Sequence, residues 1–230
     1  FVADQCSHKI RRVEVAGGGG DGRCDEVTTI AGSGEAGDAD GVGDAAVFYF
    51  PVDVAISPDG NALFVADFER RWRAAAPRVV PMVWVARRSS TTQTTSPSAR
   101  TGVGGAAEFA NPTGIVISPD GSALFVADMG GHKILQVEAA TGTVTTLAGS
   151  GTPGSSDGVG GAAQFKHPYG VTISPDGTAL FVADHGNHKI RRVEVATGAV
   201  TTLAGSGDGL RQPQEKAALM AWATRRSSTT

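Results

Sequence analysis

The sequence predicts an all-β fold built from repeated four-stranded sheets, the arrangement of a β-propeller. Glycine accounts for 32 of the 230 residues while aromatic residues make up only 6%, a composition typical of short strands joined by tight turns. Short motifs recur along the chain, and no helical periodicity lies between them. No apolar run approaches the ~20 residues that a membrane-spanning helix needs, so we expect no membrane span.

Three motifs recur in the same order along the chain. "FVAD" begins at Phe1, Phe64, Phe125 and Phe181; "SPDG" begins at Ser57, Ser118 and Ser174; "TT(I/L)AGSG" begins at Thr28, Thr145 and Thr201. The two cleanest copies are 56 residues apart. A repeat of this length indicates a repeat architecture.

The last copy shows what one unit contains. "GVTIS" predicts a first strand, and "SPDG" a turn in which Pro175 fixes φ and Gly177 closes the loop. "ALFVAD", "HKIRRVEV" and "VTTLAG" predict the second, third and fourth strands, with "ATGA" as a hairpin turn before the fourth. Four antiparallel strands per repeat make a propeller blade.

The stretch "LFVADHGNHKIRRVEVATGAVTTLAGSG", with the preceding "DGVGGAAQFKHPYGVTISPDG", resembles the NHL-repeat β-propeller family, which is named after an Asn-His-Leu triplet. Here the triplet reads Asn187-His188-Lys189, Ser7-His8-Lys9 and Gly131-His132-Lys133. The resemblance covers Phe1 to about Gly34, about Asp40 to Asp67, and Thr101 to about Gly207.

The repeats predict an open ring of about three to four blades. Residues 1–67 would form two NHL-like blades, the first lacking its first strand and the second truncated, and residues 101–207 two more. Such an array leaves exposed sheet edges, through which the protein could associate.

Two segments, 68–100 and 208–230, differ from the rest. They hold all three tryptophans and 11 of the 20 Lys and Arg residues, against three of the 23 acidic ones. GC-rich codons for "DGVGGAAQF" encode "MVWVARRSS", the stretch that begins at Met82, when they are read one nucleotide later. Codons for "DGVGDAA", shifted in the same way, encode "MAWATRR", the stretch that begins at Met220. We interpret 68–100, an irregular Arg/Ser/Thr-rich insertion, and 208–230, a disordered tail, as repeat DNA read out of frame.

Aspartate and histidine recur where the second strand ends and the third begins. The positions are Asp4, Asp67, Asp128 and Asp184, and His8, His132 and His188. The resemblance offers a functional role, because related calcium-dependent lactonases and a zinc-containing amidating lyase hold metals with such side chains. The structural alternative is that Asp caps the turn through its own backbone hydrogen bonds and His closes the strand connection. Recurrence in every blade favours the structural role.

Two histidines fall outside the repeated slots. His185 follows Asp184 where other repeats have Gln, Phe or Met, and His167 stands where others have Phe50 or Asn111. Residues specific to one blade favour ligand recognition, so His167 and His185 are the candidate ligand surface.

Other polar clusters predict no site. Asp38, Asp40 and Asp44 lie among glycines but lack the terminal Glu of an EF-hand loop, and predict a solvated inter-blade loop. The Arg pairs at 11–12 and 191–192 suggest a polyanion surface, but the acidic repeat body opposes a phosphate backbone, so we expect no nucleic-acid partner.

The two cysteines are predicted to be free thiols. Cys6 precedes a third strand and Cys24 begins the fourth, which places them at opposite ends of an antiparallel pair, beyond disulfide reach.

These observations favour a non-catalytic NHL-repeat scaffold that binds a protein or peptide partner and needs no cofactor. The alternative is a calcium- or zinc-dependent enzyme resembling the lactonases or the amidating lyase. The sequence leaves the compartment open.

Overall fold

The computed structural model describes residues 1–15, 24–68, 83–87, 102–103 and 109–206. Sixteen strands in four sheets make up the regular structure of these residues, with short 3-10 turns between some of them. None of the helices in this part of the chain is long and apolar enough to cross a membrane. The all-β prediction is confirmed.

The first two sheets have three strands each. The first is ordered β1 (Val2–Asp4), β2 (Lys9–Val15), β3 (Cys24–Ala31), all antiparallel. The second is ordered β4 (Pro51–Ile56), β5 (Leu63–Asp67), β6 (Val83–Arg87).

Strand β6 runs parallel to β5, with Leu63 opposite Val83 and Asp67 opposite Arg87. It occupies the third position of the sheet, where the other repeats place an antiparallel strand. This strand lies inside the segment 68–100 that the sequence predicts to be an irregular insertion. Apart from Phe68 and these five residues, the segments 68–100 and 208–230 lie outside the described residues.

The third and fourth sheets have five strands each. The third is ordered β7 (Gly102–Val103), β11 (Thr143–Ala148), β10 (Lys133–Glu138), β9 (Ala123–Asp128), β8 (Pro112–Ile117). The fourth is ordered β12 (Gly158–Val159), β16 (Ala199–Ala204), β15 (Lys189–Glu194), β14 (Ala179–Asp184), β13 (Pro168–Ile173). The four predicted strands are present in both, and each third strand begins one residue after its histidine.

The fourth sheet has a fifth strand, in the "DGVG" segment, that the sequence did not predict. Gly158 pairs with Val200 and Val159 with Ala199, so the segment adds a short outer strand to the fourth sheet. A 3-10 turn follows at Gly160–Ala162, and the chain then passes between the third and fourth sheets before it enters β13.

The "SPDG" turns form as predicted. The Gly177 N–H donates to the Ser174 carbonyl at 2.9 Å, which closes the turn. The Ser174 hydroxyl donates to Asp176 Oδ1 at 2.5 Å and accepts the Ala179 N–H at 3.0 Å. The turn residues thereby satisfy the backbone at the start of β14.

The core lies between the sheets, in clusters that join each sheet to its neighbours. One cluster joins the second and third sheets around Phe64, Phe109 and Ile115, and another joins the third and fourth around Phe125 and Phe165. Strand β8 contacts both β4 and β13, so the first strands of successive sheets lie side by side. No closed ring forms from the described residues.

Candidate functional site

The recurring aspartates end the strand that corresponds to the second strand of each repeat, and three of them are buried. Asp128 and Asp184 are fully buried and Asp67 nearly so. Their carboxylates accept backbone N–H groups from the segment that precedes the first strand of the same sheet. For Asp128 the donors are Asn111 at 2.6 Å and Ala110 at 3.0 Å, and Lys166 donates to Asp184 at 2.8 Å.

The aspartates therefore bond beyond their own turn. Tyr49 and Phe50 donate to Asp67 in the same way, so each carboxylate fixes the entry into the first strand. Burial raises the pKa of Asp128, opposed by the N–H groups of Asn111, Ala110 and Gly131. The local capping predicted for these residues is thus only one part of their bonding.

Asp184 differs from Asp128 because it forms a direct ion pair with a fully buried arginine. Arg191 Nη1 lies 2.9 Å from Asp184 Oδ2, and both side chains are 0% exposed. Arg191 Nη2 lies 2.7 Å from Asp157 Oδ1, and its guanidinium lies 5.2 Å from the centre of the Phe165 ring. Leu135 fills the position of Arg191 in the third sheet, and that sheet's Asp128 accepts backbone N–H groups, with Lys133 as the nearby cation that opposes the rise of its pKa.

Asp4 is the half-buried member of the series. Arg11 Nε donates to Asp4 Oδ2 at 2.8 Å, and this bond lowers the pKa of Asp4. Neither Arg11 nor Arg191 is a free cation, because each is engaged by the aspartate of its own sheet.

The recurring histidines occupy left-handed backbone positions. His8, His132 and His188 have φ of 55°, 55° and 53°. His8 and His188 end the 3-10 turns that join second and third strands. At these positions the histidine backbone turns the chain from the 3-10 turn into the third strand.

Two of these histidines also contact the next sheet. The Nδ1 atom of His8 bonds the Tyr49 carbonyl oxygen, and the His132 Nδ1 accepts the His167 N–H at 3.2 Å. The His132 and His167 rings lie 4.9 Å apart. Burial, with the neighbouring His167, lowers the pKa of His132.

The blade-specific histidines lie at the same end of the sheets. His185 is exposed in the 3-10 turn His185–Asn187, 6.3 Å from the ring of Tyr169 and 6.5 Å from that of His188. His167 is exposed beside His132. We call the five residues His132, His167, Tyr169, His185 and His188 the histidine surface.

The histidine surface brings together both candidate ligand residues, His167 and His185, with two of the recurring histidines. Tyr169, which is 51% exposed, was not singled out from the sequence. Its position is Val52 in the second repeat and Thr113 in the third. This difference between repeats is the same kind of signal that singles out His167 and His185, and it would have added Tyr169 to the candidate ligand surface.

Polar contacts also join the first strands of neighbouring sheets. Asp53 Oδ2 accepts the Ile115 N–H at 2.9 Å, and the Thr113 hydroxyl donates to the Tyr169 carbonyl at 2.8 Å. Burial raises the pKa of Asp53, although the Ile115 and Val54 N–H groups oppose the effect. These groups hold sheets together and face one another rather than a shared cavity.

Within the described part of the chain, no three His, Cys, Asp or Glu side chains are placed to hold a metal ion. Asp38, Asp40 and Asp44 precede or enter the 3-10 turn Gly43–Ala45. Cys6 is an exposed free thiol. Cys24 pairs with Val15 at the far end of β2 from Cys6, as predicted, and its side chain lies outside the described residues.

Curated relatives share the repeat sequence. The chain is 30% identical over 227 residues to the protein SUPPRESSOR OF QUENCHING 1, chloroplastic, of Arabidopsis thaliana, across 90% of this chain and 20% of that protein. It is 36% identical over 103 residues to NHL repeat-containing protein 2 of Homo sapiens, across 44% of this chain and 14% of that protein. The chain thus spans about a fifth or less of these relatives.

Solved structures with a similar arrangement include the nidogen/laminin complex and virginiamycin B lyase from Staphylococcus aureus. The TM-score is 0.49 for the nidogen/laminin complex, at 18% identity over 86% of this chain and 57% of that one. For the lyase it is 0.46, at 15% identity over 88% of this chain and 50% of that one. No protein-family profile matches the chain.

The successive antiparallel sheets, with their first strands side by side, define a β-propeller array. The recurring motifs and the relatives named for NHL repeats support an NHL-repeat β-propeller.

Proposed function

We propose that this chain is a non-catalytic interaction scaffold that binds a protein or peptide partner through the histidine surface. The observation that carries the proposal is that some polar residues at this end of the sheets are used in bonds within the fold, while others are exposed. The recurring aspartates form bonds with backbone N–H groups or with arginine side chains. His167, Tyr169 and His185 are exposed, and the other repeats have different residue types at these positions.

The chemistry of the surface suits a peptide. Tyrosine and imidazole rings offer flat apolar area together with hydrogen-bonding atoms, and such side chains supply much of the binding energy at protein interfaces. The rings stand on a rigid base, because Asp184 is bonded to Lys166 and Asn187 directly beneath them. A surface of this kind loses little side-chain entropy when a partner binds.

The first experiment selects ligands from a random peptide library on the full chain and measures their dissociation constants. The His167→Ala/His185→Ala double variant is expected to bind the selected peptides at least tenfold more weakly. Val27→Ala is the matched control, because Val27 is 54% exposed in the first sheet, and it should bind like the unsubstituted chain. Equal binding by all three proteins would contradict the proposal.

A second assay addresses the enzymatic alternative. A panel of lactones and hydroxyglycine peptides is incubated with the full chain and added Ca²⁺ or Zn²⁺. The scaffold proposal expects no turnover above that of the metal ion alone. Turnover that is lost in the Asp184→Asn variant while the fold is retained would replace the scaffold by a metal-dependent enzyme.

A further inference from the structure

Neighbouring sheets lock together through one repeated contact. On the third sheet, Phe125, Ala127, Ile134 and Ala148 form a fully buried apolar face, which we call a socket. Ala163 and Phe165, from the segment that leads into the fourth sheet, pack in the same cluster at 0% exposure. We call such an Ala-x-Phe segment a plug.

The first and second sheets use the same device. Ile10 of the first sheet packs with Ala46 and Phe48, and these three side chains are buried. A glycine makes room for the plug in both cases: a Cβ on Gly32 would lie 3.2 Å from the Phe48 ring, and one on Gly149 would lie 3.2 Å from the Phe165 ring.

The backbone bonds of the two plugs are identical in pattern. Gly32 N–H donates to the Gly43 carbonyl at 3.0 Å, as Gly149 does to Gly160 at 3.0 Å. Ser33 donates to Ala46 at 2.8 Å and Ser150 to Ala163 at 2.9 Å. The plug is therefore held by main-chain bonds as well as by the buried phenylalanine, which fixes its register.

The fourth sheet repeats the socket residues with Phe181, Ala183, Ile190 and Ala204. Ile190 is 41% exposed, whereas its counterpart Ile134 is 0% exposed. Ala204 is exposed and Phe181 and Ala183 are half-buried, and the adjacent Leu203 is 57% exposed. For Gly205, the counterpart of Gly149, the three atoms nearest to an added Cβ are backbone atoms of His188 and Lys189, whereas for Gly149 they include the Phe165 ring.

We propose that this face of the fourth sheet is a binding site for the plug segment of a further NHL-type repeat, an extended Gly-Val-Gly-x-Ala-Ala-x-Phe chain supplied by another polypeptide region. The two occupied sockets define the ligand: a small residue, then a phenylalanine two positions later, with main-chain bonds to the edge of the sheet. The site is the apolar face of the sheet and borders His188 of the histidine surface, because the equivalent His132 accepts the His167 N–H beside the occupied socket. The socket packing does not depend on the proposed function.

The experiment adds a peptide of this chain's own plug, Asp157–Tyr169, to the full chain and follows methyl and amide NMR shifts. A control peptide carries Ala in place of Phe165. The matched protein variants are Ile190→Glu in the socket and Val27→Glu on the first sheet, both at exposed sites. Circular dichroism confirms that each variant is folded.

The proposal predicts saturable shifts at Ile190, Phe181 and Ala204, with at least tenfold weaker binding of the Ala peptide. Ile190→Glu should bind the plug peptide at least tenfold more weakly than the unsubstituted chain, and Val27→Glu should match it. The absence of saturation by about 2 mM peptide would overturn the proposal, because a dissociation constant above the millimolar range corresponds to only weak, non-specific binding. Equal binding of both peptides, or unchanged binding by Ile190→Glu, would overturn it as well.

Discussion

A buried carboxylate is stabilised in two different ways at the end of the second strands. Asp128 accepts backbone N–H groups, and burial raises its pKa. Asp184 faces Arg191, whose Nη atoms also donate to the Gln164 and Ser156 carbonyls. The arginine thus connects β15 to the segment that carries the Phe165 plug, which Leu135 cannot do in the third sheet.

Arg191→Leu is expected to lower the free energy of unfolding by about 3 kcal/mol or more, because it leaves a buried carboxylate without its cation. Arg192→Leu is the control, since the Arg192 side chain is 38% exposed and pairs with Glu194 at the surface; it should cost less than about 1 kcal/mol. Both values come from chemical denaturation. Equal losses of unfolding free energy in the two variants would show that the buried ion pair contributes no more to stability than the surface pair.

The "SPDG" carboxylates should make the fold sensitive to acid. The Ser174 hydroxyl and the Thr178 N–H lower the pKa of Asp176 from 3.8 to about 2. A carboxyl whose pKa is lowered in the folded state stabilises the fold above 3.8, and that contribution is lost as pH falls through about 2. In the Asp176→Asn variant the unfolding free energy should therefore fall less steeply over this interval. Parallel curves for the two proteins would contradict this account.

At the scale of elements, the plug and socket contact sets how strongly one sheet holds the next. Phe125 and Phe181 occupy the same strand position, but Phe125 is covered by the Ala163–Phe165 segment and Phe181 is half-buried. Phe125→Ala should cost about 3–5 kcal/mol, the usual range for a fully buried phenylalanine. Phe181→Ala should cost less than half as much by denaturant titration, and equal costs would mean that the adjoining segment contributes nothing.

His132, which contacts His167 between the third and fourth sheets, should make the stability of the fold depend on pH. Burial, with the neighbouring His167, lowers the pKa of His132 below its ordinary value of 6.5. The fold favours the neutral ring, so this stabilising contribution is present above pH 6.5 and declines as pH falls through the lowered value. His132→Asn, which tolerates a positive φ, should show a smaller loss of unfolding free energy between about pH 7 and 5. His188→Asn, at the equivalent position with φ 53°, should retain the loss.

Part of this architecture could be predicted from the sequence because it is local. The "SPDG" turns and the apolar run of "ALFVAD" predict strands without reference to distant residues. The burial of Arg191 could not be predicted from its local sequence. The motif "KIRRVE" occurs twice, and Arg11, the equivalent arginine in the first copy, is partly exposed. What buries Arg191 is the 154–165 segment that lies against it, a long-range contact. The fifth strands and parallel β6 also depend on partners remote in sequence.

The candidate site divides in the same way. Residue type and repeat position predicted His167 and His185, because they break the repeat. That both lie on one surface with Tyr169 follows from the way the 3-10 turn and the start of β13 meet at the same end of the sheet. The non-local bonding of the aspartates could not be inferred, since their donors are 17 to 18 residues earlier in the chain.

At the scale of the whole molecule, the chain is an open array of sheets held by apolar plugs, with one end carrying the histidine surface. The central claim is that this end binds a peptide. Hydrogen exchange of the full chain with a selected peptide tests it most directly. We predict slower exchange at 166–170 and 185–188 in the complex. Protection confined to the outer strand Gly158–Val159 or to the first sheet, with none at these two segments, would contradict the account.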